Sequence, residues 1–174
     1  MTNSASAADR DAIIQRSFAY ATGVDRRDWA RYAECFTDPC EFDFSSWNNR
    51  PPTFIGPTRW AANVAGTNGN FDATQHMMSN HVITFSGPDE AVGVNELIAQ
   101  HWFSADSMTA FGQPDEVSWC ILGGHYTNTY LRCADGAWRI SRCRLDVRYT
   151  TGNPDVFRLA RGRQASAESA SSSE

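Results

Sequence analysis

The sequence predicts an α+β protein, with three N-terminal helices packed on a curved, mostly antiparallel sheet. The first third carries apolar residues at helical spacing, most clearly Trp29, Tyr32, Ala33 and Phe36. From about residue 73 to residue 150 the pattern changes to long alternating runs. The last two runs meet at Asp135-Gly136, a dipeptide suited to a tight hairpin turn.

The elements follow in order. Ser6-Ala7-Ala8-Asp9 reads as a capping box, and Ile14, Phe18 and Ala21 share one face of the helix it opens, which ends at Gly23. Asp25-Arg26-Arg27-Asp28 opens a second helix, and Asp38-Pro39 closes the pair because proline disfavours helical backbone at the residue before it. Cys40-Glu41-Phe42-Asp43-Phe44 alternates as a half-buried strand should, and Asn48 to Pro52 is a loop. Gly56-Pro57-Thr58 introduces a third helix as far as about Ala65, which Gly66-Thr67-Asn68-Gly69-Asn70 breaks. Strands are expected at about 73–86, 90–105, 117–133 and 137–150. Gly123-Gly124 inside the third of these marks a bulge, sharp curvature or the close approach of another group. One domain over residues 8–160 is expected, between a disordered N-terminus (1–7) and a disordered, Ser/Ala-rich tail (161–174).

Composition narrows the function. The 174 residues carry a net charge of −5 and a pI near 5.3, which argues against a nucleic-acid partner. No run approaches the ~18 apolar residues of a membrane span, and no signal peptide opens the chain, so a cytoplasmic location is expected. Five cysteines without metal spacing suggest reduced thiols. All 15 basic residues are arginine, so lysine Schiff-base chemistry is closed to this chain.

The central stretch Phe71 to His81 places His76 between apolar residues. The bland role for that ring is a satisfied, half-buried strand histidine; the chemical role is a base. Asp25 likewise has two readings, a helix N-cap or the carboxylate that orients His76 and stabilises its imidazolium. His101 alternates with Leu97, Ala99 and Phe103 on an apolar strand face. On the following strand His125 shares a face with Ile121 and Thr127, and Tyr126, Asn128, Tyr130 and Arg132 share the other; the pattern leaves open which face is inside. His76 and His81, five apart, fall on opposite faces of a regular strand, and no metal motif occurs, so no metal is expected. Nor is there a nucleophile elbow for Ser, or a comparable setting for Cys. The strand at 90–105 is apolar on both faces, with Val92, Val94, Ile98 and Trp102 opposite the Leu97 face, which points to a homodimer or homotrimer through the sheet.

Several stretches together resemble the SnoaL-like family of the cone-shaped α+β barrel superfamily: Gly23 to Trp29, Thr74-Gln75-His76, His101, Ile121 to Arg132, and Asp135 to Ile140. Within it the chain looks most like scytalone dehydratase and hexachlorocyclohexane dehydrochlorinase. The resemblance implies a cofactor-independent lyase, a dehydratase or dehydrohalogenase, acting on a small hydrophobic or polyketide/terpenoid-like molecule. In it His76 would be the base and Asp25 its partner, with Tyr20, His101 and Arg132 activating the leaving group or carbonyl. Phe44, Trp47, Met78, His125, Tyr126 and Asn128 are the expected substrate contacts. Where the dehydratase carries two pocket tyrosines this chain has Val24 and Phe44, so Tyr20 is the candidate in their place. Leu145 to Tyr149 and Asp155 to Phe157 resemble the segment that closes over the dehydratase's substrate. Isomerases, cyclases and non-catalytic binding proteins share the superfamily and remain the alternatives.

Overall fold

The structure is a computed structural model that describes residues 6–171, with side chains described from 6 to 163. Helix α1 (Ala7–Asp25) begins at the expected capping box: the Ser6 side chain accepts from the Asp9 N–H, and the Asp9 carboxylate accepts from the Ser6 N–H. Helix α1 runs past Gly23 to Asp25, and α2 is only Trp29–Ala33. Its N-cap is Asp28, whose Oδ1 accepts from the Arg31 N–H. Asp25 is therefore no N-cap. The periodic residue Phe36 already belongs to β1 (Phe36–Asp43), though it packs inward as the helical pattern required.

Asp38-Pro39 lies inside β1 instead of ending a helix. The β1 ladder with its neighbour is interrupted between Phe36 and Glu41, and proline, which cannot donate to a ladder, occupies that gap. Helix α3 (Ser45–Asn48) and strand β2 (Thr53–Ile55) follow, then α4 (Pro57–Asn68) with proline in its first turn. Four long strands complete the sheet: β3 (Ala73–Phe85), β4 (Glu90–Trp102), β5 (Trp119–Arg132) and β6 (Trp138–Gly152). A short helix, α5 (Ala105–Ala110), fills the connection between β4 and β5. The last helix, α6 (Val156–Ser171), carries helical backbone into the stretch expected to be a tail. Residues 1–5 and 172–174, parts of the two expected disordered ends, lie outside the described residues.

The six strands form one curved sheet in the order β2-β1-β6-β5-β4-β3, which does not close. Every pairing is antiparallel except the parallel contact of β1 with β6. On β5 the even-numbered residues face inward: Cys120, Leu122, Tyr126, Asn128 and Tyr130 are all buried. The outer face leaves Val92, Ile98, Trp102 and Tyr149 largely uncovered. Among the described residues no helix is long and apolar enough to cross a membrane.

Strand β3 contains a bulge. Its register with β4 shifts between Ser79 and Val82, and Asn80 takes a left-handed φ of 52°. The extra residue returns His81 to the same face as His76, contrary to the regular-strand expectation; the His81 ring meets Phe18 of α1 edge-on at 5.3 Å.

The glycine pair in β5 has two different causes. The register with β6 shifts between Gly123 and Gly124. A Cβ on Gly123 would collide with the Tyr149 ring, a half-exposed side chain that can swing away. A Cβ on Gly124 would collide with the backbone of Asp146 and Val147, which cannot. Gly124→Ala should therefore cost about 1–3 kcal/mol, in the range of overpacked cores, and Gly123→Ala clearly less. Paired thermal melts check this order, and equal losses would contradict it.

Candidate active site

The site begins where α1 ends. Its last residue, Asp25, points its carboxylate at β3 and accepts from three donors there. His76 Nδ1 lies 2.7 Å from Asp25 Oδ1, the His76 backbone N–H lies 2.8 Å from Oδ2, and the Thr74 hydroxyl donates to Oδ1 at 3.0 Å. Arg27 locks this corner. Its guanidinium donates to the Asp25 carbonyl, the Thr74 hydroxyl and the Phe71 carbonyl. Burial raises the Asp25 carboxyl pKa, but the hydrogen bonds and charge of His76 outweigh it and hold the group below its ordinary 3.8. An ionised Asp25 fixes the His76 proton on Nδ1 and leaves Nε2 as the nitrogen with a free lone pair.

That imidazole lines a cavity of about 730 Å³ and is only 8 % exposed. Val24, Phe42, Trp60, Leu97, Ala99 and Leu122 make much of the wall apolar. Phe42 and Trp60 stack with centroids 4.1 Å apart, and the Trp60 indole N–H is satisfied by the Tyr32 hydroxyl at 2.9 Å. Polar side chains share the wall, among them Asn63, Thr67 and Asn68 from α4. Tyr20 and Tyr126, both on the cavity wall, bond hydroxyl to hydroxyl at 2.9 Å. Burial pushes both phenols well above their ordinary pKa, so they stay protonated. The Tyr20 hydroxyl also reaches Tyr32, whose oxygen accepts from Trp60, so these hydroxyls form one linked cluster.

His101 also lines the cavity, with its ring edge-on to His76 at a centroid distance of 5.5 Å. Its Nε2 is 3.0 Å from Asn68 Oδ1, and its Nδ1 is buried without a hydrogen-bond partner. Burial, and then the neighbouring His76, push the His101 pKa down to about 3. The ring is neutral at pH 7 and so brings one N–H donor and no positive charge to the cavity. Its bond to Asn68 ties the end of α4, where Asn68 lines the cavity, to β4.

The expected contacts divide. Phe44, Trp47 and Tyr126 line the cavity as anticipated, together with Tyr20, His76 and His101. Arg132 does not. It sits at the end of β5, where it pairs with Asp9 at 2.6 Å and Asp89 at 3.1 Å and covers the Trp138 ring. Two carboxylates and an indole hold it outside the cavity wall. His125 is on the odd-numbered, outer face of β5, 3.6 Å from Asp146. Asn128 does face inward, but lies behind the cavity wall, donating to the Tyr130 hydroxyl at 3.4 Å. Met78 is likewise off the wall, with its sulfur accepting from Asn95.

Helix α4 supplies the largest group of residues that the sequence reading missed. Trp60, Asn63, Val64, Thr67 and Asn68 recur at helical spacing and all face the cavity. The periodicity was present in the sequence, but ending the helix at Ala65 cut off its last turn. From α6, Phe157 and Arg161 complete the wall. Arg163, two residues on, fastens α6 to the Asn70 carbonyl, Asp72 and Ser107. Among the described residues no group of three or more His, Cys, Asp or Glu could hold a metal ion.

Burying a neutral His101 has a pH consequence. In the unfolded chain the ring protonates below about 6.5, and in the folded protein only near 3. Between those values the unfolded state binds the extra proton, so stability falls as pH drops from about 6.5 towards 3. His101→Gln should flatten the fall in melting temperature between about pH 6.5 and 4. Parallel slopes for the two proteins would show that His101 is not the group responsible.

The geometry can be set beside known proteins. The SnoaL-like domain family matches residues 5–144. A protein from Kribbella flavida, Kfla4162, is 30% identical, with a TM-score of 0.77, covering 88% of this chain and 97% of its own. A protein from Novosphingobium aromaticivorans provisionally named scytalone dehydratase is 24% identical, with a TM-score of 0.68 over 84% of this chain and 88% of its own. The hexachlorocyclohexane dehydrochlorinase LinA-type3 of Novosphingobium barchaimii is 21% identical, with a TM-score of 0.65 over 84% of this chain and 91% of its own. The last two likenesses are of fold. Among proteins with curated descriptions, none matches the chain. Family match and fold agree with the open, cone-shaped sheet described above, and this chain belongs to the SnoaL-like family.

Proposed function

We propose that the protein is a cofactor-independent lyase, a dehydratase or dehydrohalogenase of a small hydrophobic molecule, with His76 as its base. The observation that carries this reading is the 2.7 Å contact of His76 Nδ1 with Asp25, in a ring that lines a cavity walled in good part by apolar side chains. A binding protein has no need of a carboxylate that fixes the tautomer of a pocket imidazole. The dehydratase and dehydrochlorinase among the structural neighbours support the same reaction class.

In this mechanism Nε2 takes a proton from a carbon next to a carbonyl or other acidifying group. The electrons of the C–H bond form the new double bond, and the bond to hydroxide or halide breaks. The Tyr20–Tyr126 hydroxyl pair and the Asn68 amide, all on the cavity wall, are the donors for the oxygen that gains charge. Asp25 stabilises the imidazolium, which returns its proton to departing hydroxide or, after halide loss, to water. Arg132 has no part in these steps, and His101 acts through Asn68.

His76→Ala should lower kcat by about 10²–10⁴, the usual worth of general-base help. Asp25→Asn should fall in the same range, because an amide can hold the wrong tautomer. Candidate 3-hydroxy-carbonyl and halogenated substrates should be turned over in deuterated water and the products weighed. Loss of water or hydrogen halide is the expected result. A product of unchanged formula would move the reading to an isomerase or cyclase, and wild-type turnover by His76→Ala would remove the base. The reading also includes a homodimer or homotrimer through the uncovered outer face of the sheet. Sedimentation at micromolar concentration should give the corresponding mass, and a monomer would contradict it.

A further inference from the structure

The cavity has an electrical asymmetry that the elimination chemistry does not use. Two arginines line it, Arg50 from the loop after α3 and Arg161 from α6, and both are exposed. No aspartate or glutamate lines it. Among the described residues neither guanidinium has an acidic or carbonyl partner. Many of the other arginines are already committed: Arg132, Arg139, Arg142, Arg144, Arg148 and Arg163 pair with carboxylates. In a chain with 20 acidic and 15 basic residues, two unneutralised cations on one cavity run against the overall charge. A low-dielectric wall focuses such a field on whatever enters.

The two residues come from separate segments, and both line this cavity. Arg161 stands one helical turn beyond Phe157, so α6 presents an aromatic ring and then a cation to the same space. Besides His76, the remaining lining residues are apolar side chains, neutral hydroxyls and amides, and the neutral His101. The cavity therefore has a cationic rim, an uncharged body and a base.

We propose that the ligand of this cavity is an amphiphilic anion. Its carboxylate, or a comparable oxyanion, is held by Arg50 and Arg161, and its apolar part carries the reacting carbon to His76. This assignment rests on the site described under the proposed function and names the substrate class for it. The anion is an anchor remote from the reacting carbon, so no bond to it forms or breaks. Guanidinium is suited to the task because it meets a carboxylate with two parallel N–H donors and is never deprotonated at working pH.

The test measures binding without turnover, using two probes that cannot undergo elimination. One is 8-anilinonaphthalene-1-sulfonate, and the other is N-phenyl-1-naphthylamine, the same ring system without the anion. The full-length protein should bind the sulfonate about tenfold more tightly than the neutral amine at low salt, a difference that added salt erodes. The double variant Arg50→Gln/Arg161→Gln should lose most of that preference while its affinity for the neutral probe stays unchanged. Both positions are exposed, so melting temperature should hold and confirm that the fold is intact. Equal affinity of the wild type for the two probes would overturn the proposal, as would a preference that survives in the double variant. Because neither probe can react, failure of this anchor is distinguishable from failure of the elimination reading, which His76→Ala turnover tests separately.

Discussion

The Asp25 carboxylate is the joint that ties the end of α1 to β3 and sets the His76 ring. One oxygen takes the His76 ring and the Thr74 hydroxyl, and the other takes the His76 backbone N–H. Strand β3 is the edge of the sheet, with β4 as its sheet neighbour. Its unpaired N–H at His76 would otherwise face away from any ladder partner, and the end of α1 supplies the acceptor. The same contact that covers an edge donor thus sets the imidazole at a fixed angle. Arg27 then ties the α1 terminus to Phe71 and Thr74, bracing the Asp25–His76 pair from the other side.

Around that corner the protein separates its polar groups by protonation state. Tyr20 and Tyr126 are kept neutral by burial, and so is His101. Asp25 is kept charged because donors surround it. The ionised carboxylate thus sits behind the His76 ring, while the cavity side holds neutral Tyr20, Tyr126 and His101 and, further along the wall, Arg50 and Arg161. Helix α6 completes the enclosure, and Arg163 anchors it to Asp72 and Asn70, immediately before the strand that carries His76.

Much of this was legible in the sequence where local chemistry decides the structure. The Ser6–Asp9 capping box and the Asp135-Gly136 hairpin follow from residue types and spacing, and the pairing of Asp25 with His76 from the resemblance to the SnoaL-like family. What was not legible depends on distant partners. Arg132 is drawn away by Asp9, 123 positions earlier in the chain, which no strand pattern reveals. His125 and Tyr126 alternate equally well, and only the packing of α1 and α4 decides which is inside. At the end of α4, Gly66 and Asn68 look like breakers, yet the His101–Asn68 bond and the packing of α6 reward continuing the helix. Intrinsic propensity was outweighed there by tertiary contacts.

The bulge at Asn80 divides β3 into two halves of opposite parity. Before it, even-numbered residues such as His76 and Met78 point inward; after it, odd-numbered ones do, namely His81, Ile83 and Phe85. The first half serves the cavity and the second half seats α1. Loss of one residue at the bulge would keep the imidazole in place and turn Ile83 and Phe85 out to water. In a lineage of such proteins, substitutions on either side of Asn80 can drift independently, whereas the number of residues between the halves cannot change by one.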